Sequence, residues 1–305
     1  MFSSNLTEFH GLNVVDFEAG TPLADLDTTC CRIGLDWESE DTIVERLTAL
    51  LGDPAVDRLK GLLIGAWFTE DPYDGEVETT VAALVAASSQ LASLTSLFVG
   101  DITSEQCEVS WIQQGDLSSL FPAYPRLEHF QSRGAEGLKI GPIHHDCLKS
   151  IRIESGGLPS EVLRDLGESS LPALESLTIY LGADNYGWDG SVSDVEKLLA
   201  NSFPKLTHLA LVDSEIQDDV TKAIVASDLL PQLTSLDLSL GVFTDDGANA
   251  LLGAAGRLVN LNSIQIEHHY MSKEVEQKLA SLPCQVELSD GNSPDDEYKY
   301  VVCGE

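Results

Sequence analysis

The sequence predicts an α/β leucine-rich-repeat solenoid, a horseshoe with a parallel sheet on the concave side and helices on the convex side. Three observations predict it. The phrase Leu-x-x-Leu-x-Leu, or a near variant, occurs eight times, with its second apolar residue at Leu62, Leu97, Phe130, Ile151, Leu177, Leu209, Leu236 and Ile264. Successive phrases lie 21 to 35 residues apart, with a mean near 29, which is the scale of one solenoid unit. Beyond most phrases the apolar period changes from that of a strand to that of a helix.

The clearest unit is 233–257. Leu233, Leu236 and Leu238 alternate as one face of a strand, and Ala248, Leu251 and Leu252 then recur at helical spacing. Asp245 and Asp246 stand where a helix N-terminus favours negative charge. The following unit repeats the plan, with Leu261, Ile264 and Ile266 as strand and Ser272 to Leu282 as helix. Leu206, Leu209 and Leu211 lead to a helix at Asp218 to Leu230, and Leu174, Leu177 and Ile179 to one at Ser193 to Asn201. There Ser193 and Glu196 have capping-box spacing.

The front half is less regular. Leu59, Leu62 and Ile64 form a strand, followed by a loop from Trp67 to Gly75 and a helix at Glu78 to Ser89. Leu94, Leu97 and Val99 form the next strand, and Leu127, Phe130 and Ser132 a weaker one. Leu148, Ile151 and Ile153 follow after only 21 residues, too few for a full helical return, so an extended or 3₁₀ crossover is expected. A strand at Cys31 to Leu35 and a helix at Asp41 to Leu51 read as the first, atypical repeat. The chain is thus expected to be a single domain of about nine repeats, with residues 1–30 as N-terminal cap, 31–282 as repeats and 283–305 as C-terminal cap.

Charge bounds the partners. Fifty acidic residues against 17 basic ones give a net charge of −33, which repels phosphate backbones and anionic lipid. Nucleic acid and membrane are therefore not expected, and another protein or peptide is, a basic one if the acidity does more than confer solubility. The first 20 residues have neither the basic nor the apolar region of a secretory signal, and no apolar run approaches a membrane span. Six cysteines without framework spacing read as reduced, mostly buried thiols of a cytoplasmic protein.

The unit at 233–257 resembles the ribonuclease-inhibitor type of leucine-rich repeat, including its Thr244-Asp245-x-Gly247 turn into the helix. It departs from repeat families in which an Asn stands three residues beyond the last Leu. Gly156, Gly182 and Gly241 occupy three of those places, which points to turns set by backbone freedom. A likeness along the whole length rests on LTEFHGLNVVDF (6–17), GDITSEQCEVSWIQQGDL (100–117), SGGL (155–158), LGADNYG (181–187) and the closing YVVCGE. In these the chain resembles a bacterial family of cytoplasmic leucine-rich-repeat proteins of unknown function, often encoded beside radical-SAM and ATP-grasp-like enzymes. That resemblance implies service to a modification pathway without chemistry of its own, and brings no catalytic residues with it.

Strand geometry lists the residues expected on the concave face. His129, Gln131, Arg133, Arg152, Glu154, Tyr180, His208 and Asp237 fall in its polar columns. Arg133 and Arg152 stand out in a chain with so few cations, and adjacent strands about 4.8 Å apart would let them share one ligand group with Glu154 and Tyr180. The bland alternative is that Glu154 pairs with one Arg in a solvated surface. Two aromatic loops, Trp67-Phe68 with Tyr73 and Tyr180 with Tyr186 and Trp188, are candidate anchors, or else fold back over the rim. Trp111 and Ile112 are expected to be buried, and Cys30-Cys31 to split into one buried and one surface thiol. His144-His145-Asp146-Cys147 holds metal-ligand types, but adjacent residues of an extended segment point to opposite sides and no second cluster exists. No metal, cofactor or nucleophile–base set is expected, and the reading is a non-catalytic binding scaffold, with an accessory subunit that presents a peptide to a modification enzyme as the alternative.

Overall fold

The computed structural model describes residues 2–69, 72 and 77–304. Among the described residues, twelve strands form one sheet in strictly sequential order. They are β1 (Glu8–Phe9), β2 (Leu12–Asp16), β3 (Thr29–Ile33), β4 (Gly61–Ile64), β5 (Ser96–Val99), β6 (His129–Arg133), β7 (Ser150–Glu154), β8 (Ser176–Gly182), β9 (His208–Ser214), β10 (Ser235–Asp237), β11 (Ser263–His269) and β12 (Gln285–Gly291). β1 and β2 form an antiparallel hairpin, and every later neighbour is parallel. A parallel neighbour demands a return over the outside of the sheet. Helices supply most returns: α1 (Ile43–Leu51), α2 (Val77–Ala87), α3 (Leu120–Ala123), α4 (Ser160–Gly167), α5 (Val192–Leu199), α6 (Gln217–Ala226), α7 (Asp245–Gly253) and α8 (Lys273–Leu279). From α4 to α8 each helix packs on the next, as in a leucine-rich-repeat solenoid.

One inward column threads the sheet. Cys31, Leu62, Leu97, Phe130, Ile151, Leu177, Leu209, Leu236, Ile264 and Val286 are register partners in succession. All but the terminal Val286 are buried and belong to one continuous core with the apolar helix faces. Each unit alone would leave its apolar face in water, so stacking is what buries it.

Several local expectations shift. The capping box before α5 uses Ser191 and Asp194, not Ser193 and Glu196. The helix ends at Leu199, where Asn201 turns its amide back onto the Leu166 and Ser169 carbonyls. The short crossover between β6 and β7 is indeed without a helix, an extended segment pinned by bridges at Glu136, Lys139 and His144. The segment after residue 283 adds a twelfth strand to the sheet. Cys30 and Cys31 are both buried, because the β1–β2 hairpin covers the concave side of Cys30. Ile112 is buried, but Trp111 is 55% exposed, since its 3₁₀ turn directs it outward.

The repeat turns also differ from the glycine expectation. Of the three glycines, Gly182 alone has a left-handed backbone, with φ +80°. In the repeats of β9 to β12 the left-handed residue lies four places past the inward column: Asp213 (φ 56°), Leu240 (72°), His268 (59°) and Asp290 (49°). Asp and His adopt this conformation more readily than a γ-branched Leu does. Gly156 and Gly241 are small for packing reasons, as an added Cβ would lie 3.0 Å from the Cys303 carbonyl and 2.6 Å from the Ser214 carbonyl, respectively.

Candidate binding surface

The concave columns fall in the register that strand geometry dictates. Gln131, Arg152, Thr178, Ala210, Asp237, Gln265 and Glu287 are successive partners across β6 to β12. Arg133 pairs with Glu154, and Tyr180 with Val212, one step further along. What repeat spacing alone did not show is that both ends of the chain fold back onto this face.

The N-terminal segment covers the front. Phe9, with Leu6, Leu12 and Val14, packs on Leu63 and Phe98. Asp101 anchors the segment by accepting the Leu6 N–H at 3.3 Å, while its carbonyl accepts the Asn5 amide at 2.6 Å. His10 stacks on His129, centroids 3.8 Å apart and planes 13° apart. Burial, and then the proximity of His129, pushes His10 down to about 4, and burial lowers His129 as well.

From the exposed Asp16 inward runs a ladder of alternating charge. Asp16 meets Arg32 at 2.7 Å, Arg32 meets Asp101 at 2.9 Å, and Asp101 lies 4.0 Å from Arg133. Arg133 meets Glu154 at 2.7 Å, and Glu154 also meets Arg152 at 2.7 Å. Arg152 then donates to the Tyr180 hydroxyl at 2.7 Å. Three carboxylates balance three guanidiniums, as burial of charge requires. Arg133, Arg152, Glu154 and Tyr180 thus lie together, with each cation already matched by Glu154. Arg133 is 3% exposed, capped by the Phe2 ring 4.2 Å from its guanidinium. Arg152 keeps a partly open edge.

The C-terminal segment crosses the carboxyl ends of the rear strands. The Tyr300 N–H donates to the Tyr270 hydroxyl at 3.1 Å, and the His268 ring nitrogen meets the Tyr300 carbonyl at 3.1 Å. The Val302 N–H donates to the Leu240 carbonyl at 2.9 Å. The Cys303 N–H donates to Asp213 Oδ1 at 2.8 Å. Cys303, fully buried, joins Tyr180, Ala210, Val212 and Leu240 in a small apolar cluster with Phe2 and Val302. Gly304 lies against the Tyr186 ring, which an added Cβ would meet at 2.1 Å. The left-handed residues Asp213, Leu240 and His268 are thus the ones that hold this strap.

Among the described residues, two regions toward the rear stay open. One is the sheet face of β8 to β12, where Thr178, His208, Asp237, Gln265, Glu267 and Glu287 are partly or fully exposed and no lysine or arginine intervenes among the described residues of these strands. Burial raises the Asp237 carboxyl above its ordinary range. The other is a pocket of about 600 Å³ between the strap residues Val301 and Val302 and a wall containing Asp184, Tyr186, Glu215 and Val242.

The remaining candidates take structural places. Trp67 and Trp188 are each 4% exposed and fold back into the core. Tyr73 lies outside the described residues. His145 ties together a turn, meeting the Tyr124 carbonyl and accepting the Leu148 N–H. Among the described residues no three His, Cys, Asp or Glu side chains gather as a metal-binding group, and no helix is long and apolar enough to cross a membrane.

No protein-family model matches the chain, and none of the curated proteins does. Among solved structures, an internalin from Listeria monocytogenes aligns at 16% identity with a TM-score of 0.41, over 87% of this chain and 68% of that one. A Bacteroides fragilis protein, solved as a structural-genomics target, aligns at 35% identity with a TM-score of 0.76, over 83% of this chain and 71% of that one. At that identity and coverage, the chain belongs to the same family as the Bacteroides fragilis protein.

Proposed function

We propose that this chain is a non-catalytic protein-binding scaffold that holds a basic, extended segment of another protein along the open concave face of β8 to β12. The observation that carries this reading is the contrast between the two halves of that face. The front is filled by the chain's own N-terminal segment and its charges are balanced, whereas the rear presents Asp237, Glu267 and Glu287 with no matching cation on the same strands. A curved sheet is a broad rigid platform, and uncompensated charge on it favours a partner of opposite sign. His208 flanks this face and belongs to the same proposed surface. A cytoplasmic setting suits Cys30, Cys31, Cys107, Cys147 and Cys284, which carry free thiols.

The test uses oligolysine as a probe, titrated calorimetrically into the full chain and into an Asp237→Lys, Glu267→Lys, Glu287→Lys variant. Wild type should bind with an affinity that falls steeply with salt, and the variant about tenfold or more weakly. Equal binding by both would place the acidity elsewhere and remove this reading. The alternative, an accessory subunit that presents a peptide to a modification enzyme, draws support from the way the C-terminal segment is held.

A further inference from the structure

The strap at 298–304 runs across the strands and is gripped through its backbone. Successive holds come from Tyr270 and His268, from the Leu240 carbonyl, and from Asp213. At the end of the grip the side chains are small, with Cys303 in the apolar cluster and Gly304 against Tyr186. A groove that captures an extended peptide works in this way, since main-chain hydrogen bonds give hold and shallow pockets select side chains.

The fit is incomplete in two respects. A pocket of about 600 Å³ lies between the strap and Asp184, Glu215 and Val242. Asp213 is fully buried, so its carboxyl is held away from water. Keeping a carboxyl dry costs free energy, which lowers the advantage of the docked strap over a released one. The sequence motifs SGGL and LGADNYG form the receiving wall: Gly156 faces the Cys303 carbonyl, and Gly157 and Gly182 allow the two loops to touch.

We infer that the groove at the carboxyl ends of β8 to β11 is a peptide-binding site occupied in cis by residues 298–304, and that its ligand in trans is an extended segment carrying two aliphatic residues followed by two small ones. This rests on the scaffold reading and adds to it a second surface, distinct from the acidic sheet face.

The experiment uses the full chain with a Cys303→Arg substitution, whose long cation cannot enter the apolar cluster. Amide protection at Val302 should be lost while that of Leu211 and Leu238 persists. A fluorescent peptide with the sequence of residues 298–304 should then bind the variant saturably, and wild type about tenfold or more weakly, because the tethered strap competes at high effective concentration. The same peptide carrying the Cys-to-Arg change should not bind. Should Cys303→Arg fail to fold, Gly304→Leu serves, since its side chain meets the Tyr186 ring. A folded variant with a released strap that ignores the peptide overturns the inference. So does a strap that stays protected in both variants, which is then a fixed cap. Salt-dependent oligolysine binding that persists when the peptide fails leaves the scaffold reading standing and removes this groove alone.

Discussion

Asp213 and Cys303 are 90 residues apart in the chain and joined by one hydrogen bond of 2.8 Å, from the Cys303 N–H to the carboxyl of Asp213. That bond fastens the last segment to the ninth strand, and the residue accepting it sits in a left-handed conformation with φ 56°. Asparagine tolerates the same backbone, so the carboxyl is not needed for the turn. What the carboxyl adds is a titratable group in a dry place.

Burial pushes Asp213 up to about 7, from an ordinary value of 3.8. The groups around the strap are the Cys303 thiol, itself raised by burial and by Asp213, with Glu154, Arg152, Tyr180 and Asp237 beyond it. A carboxyl raised in the folded state stays protonated while the unfolded chain has already ionised. Its contribution to stability therefore falls between about pH 4 and pH 7 and is flat above that. Asp213→Asn should match wild type near pH 4 and melt higher at pH 7 and above. Parallel thermal melts across this range check it, and a constant difference between the two proteins would show that Asp213 does not titrate in this window.

Glu154 is the joint of the charge ladder, meeting Arg133 and Arg152 at 2.7 Å each while 3% of its side chain is exposed. Glu154→Gln keeps the shape and removes the charge, leaving Arg133 buried with Asp101 4.0 Å away as its remaining carboxylate. Breaking one side of a buried pair costs about 3–5 kcal/mol. The partly open Arg152 recovers some of this through water. Urea unfolding should show a loss near the lower end of that range, and a loss below about 1 kcal/mol would mean that water already reaches the ladder.

The solenoid was legible because its cause is periodic. Leu177, Leu209, Leu236 and Ile264 repeat one inward position, and their registry follows from the spacing alone. The convergence of Arg133, Arg152, Glu154 and Tyr180 was legible for the same reason. That Arg133 would lie beneath Phe2 was not, because a terminal segment folding across a sheet leaves no period in the sequence. Asp213 went unnoticed as well, since its importance depends on a residue 90 positions away. A signal was present in the small residues of SGGL and YVVCGE, which mark close backbone approach, but spacing does not say what approaches.

The inward column makes one further claim, about how stability is distributed along the solenoid. Leu236 is 1% exposed between Leu209 and Ile264, so truncation leaves a cavity walled by two neighbouring repeats. Val286 holds the same position on the terminal strand, where it has a neighbour on one side among the paired strands and is partly exposed. Leu236→Ala should cost about 2–5 kcal/mol, through lost burial and an unfilled cavity. Val286→Ala should cost much less, because water already reaches its site and the edge can relax. Solenoids can unfold in parts, so amide exchange of α6 and α7 is the sharper readout than a single global midpoint. The interior substitution should loosen both helices together, whereas the terminal one should loosen α8 and leave α6 protected. Equal losses from the two substitutions would mean that the column is not shared, and that each repeat holds its own core.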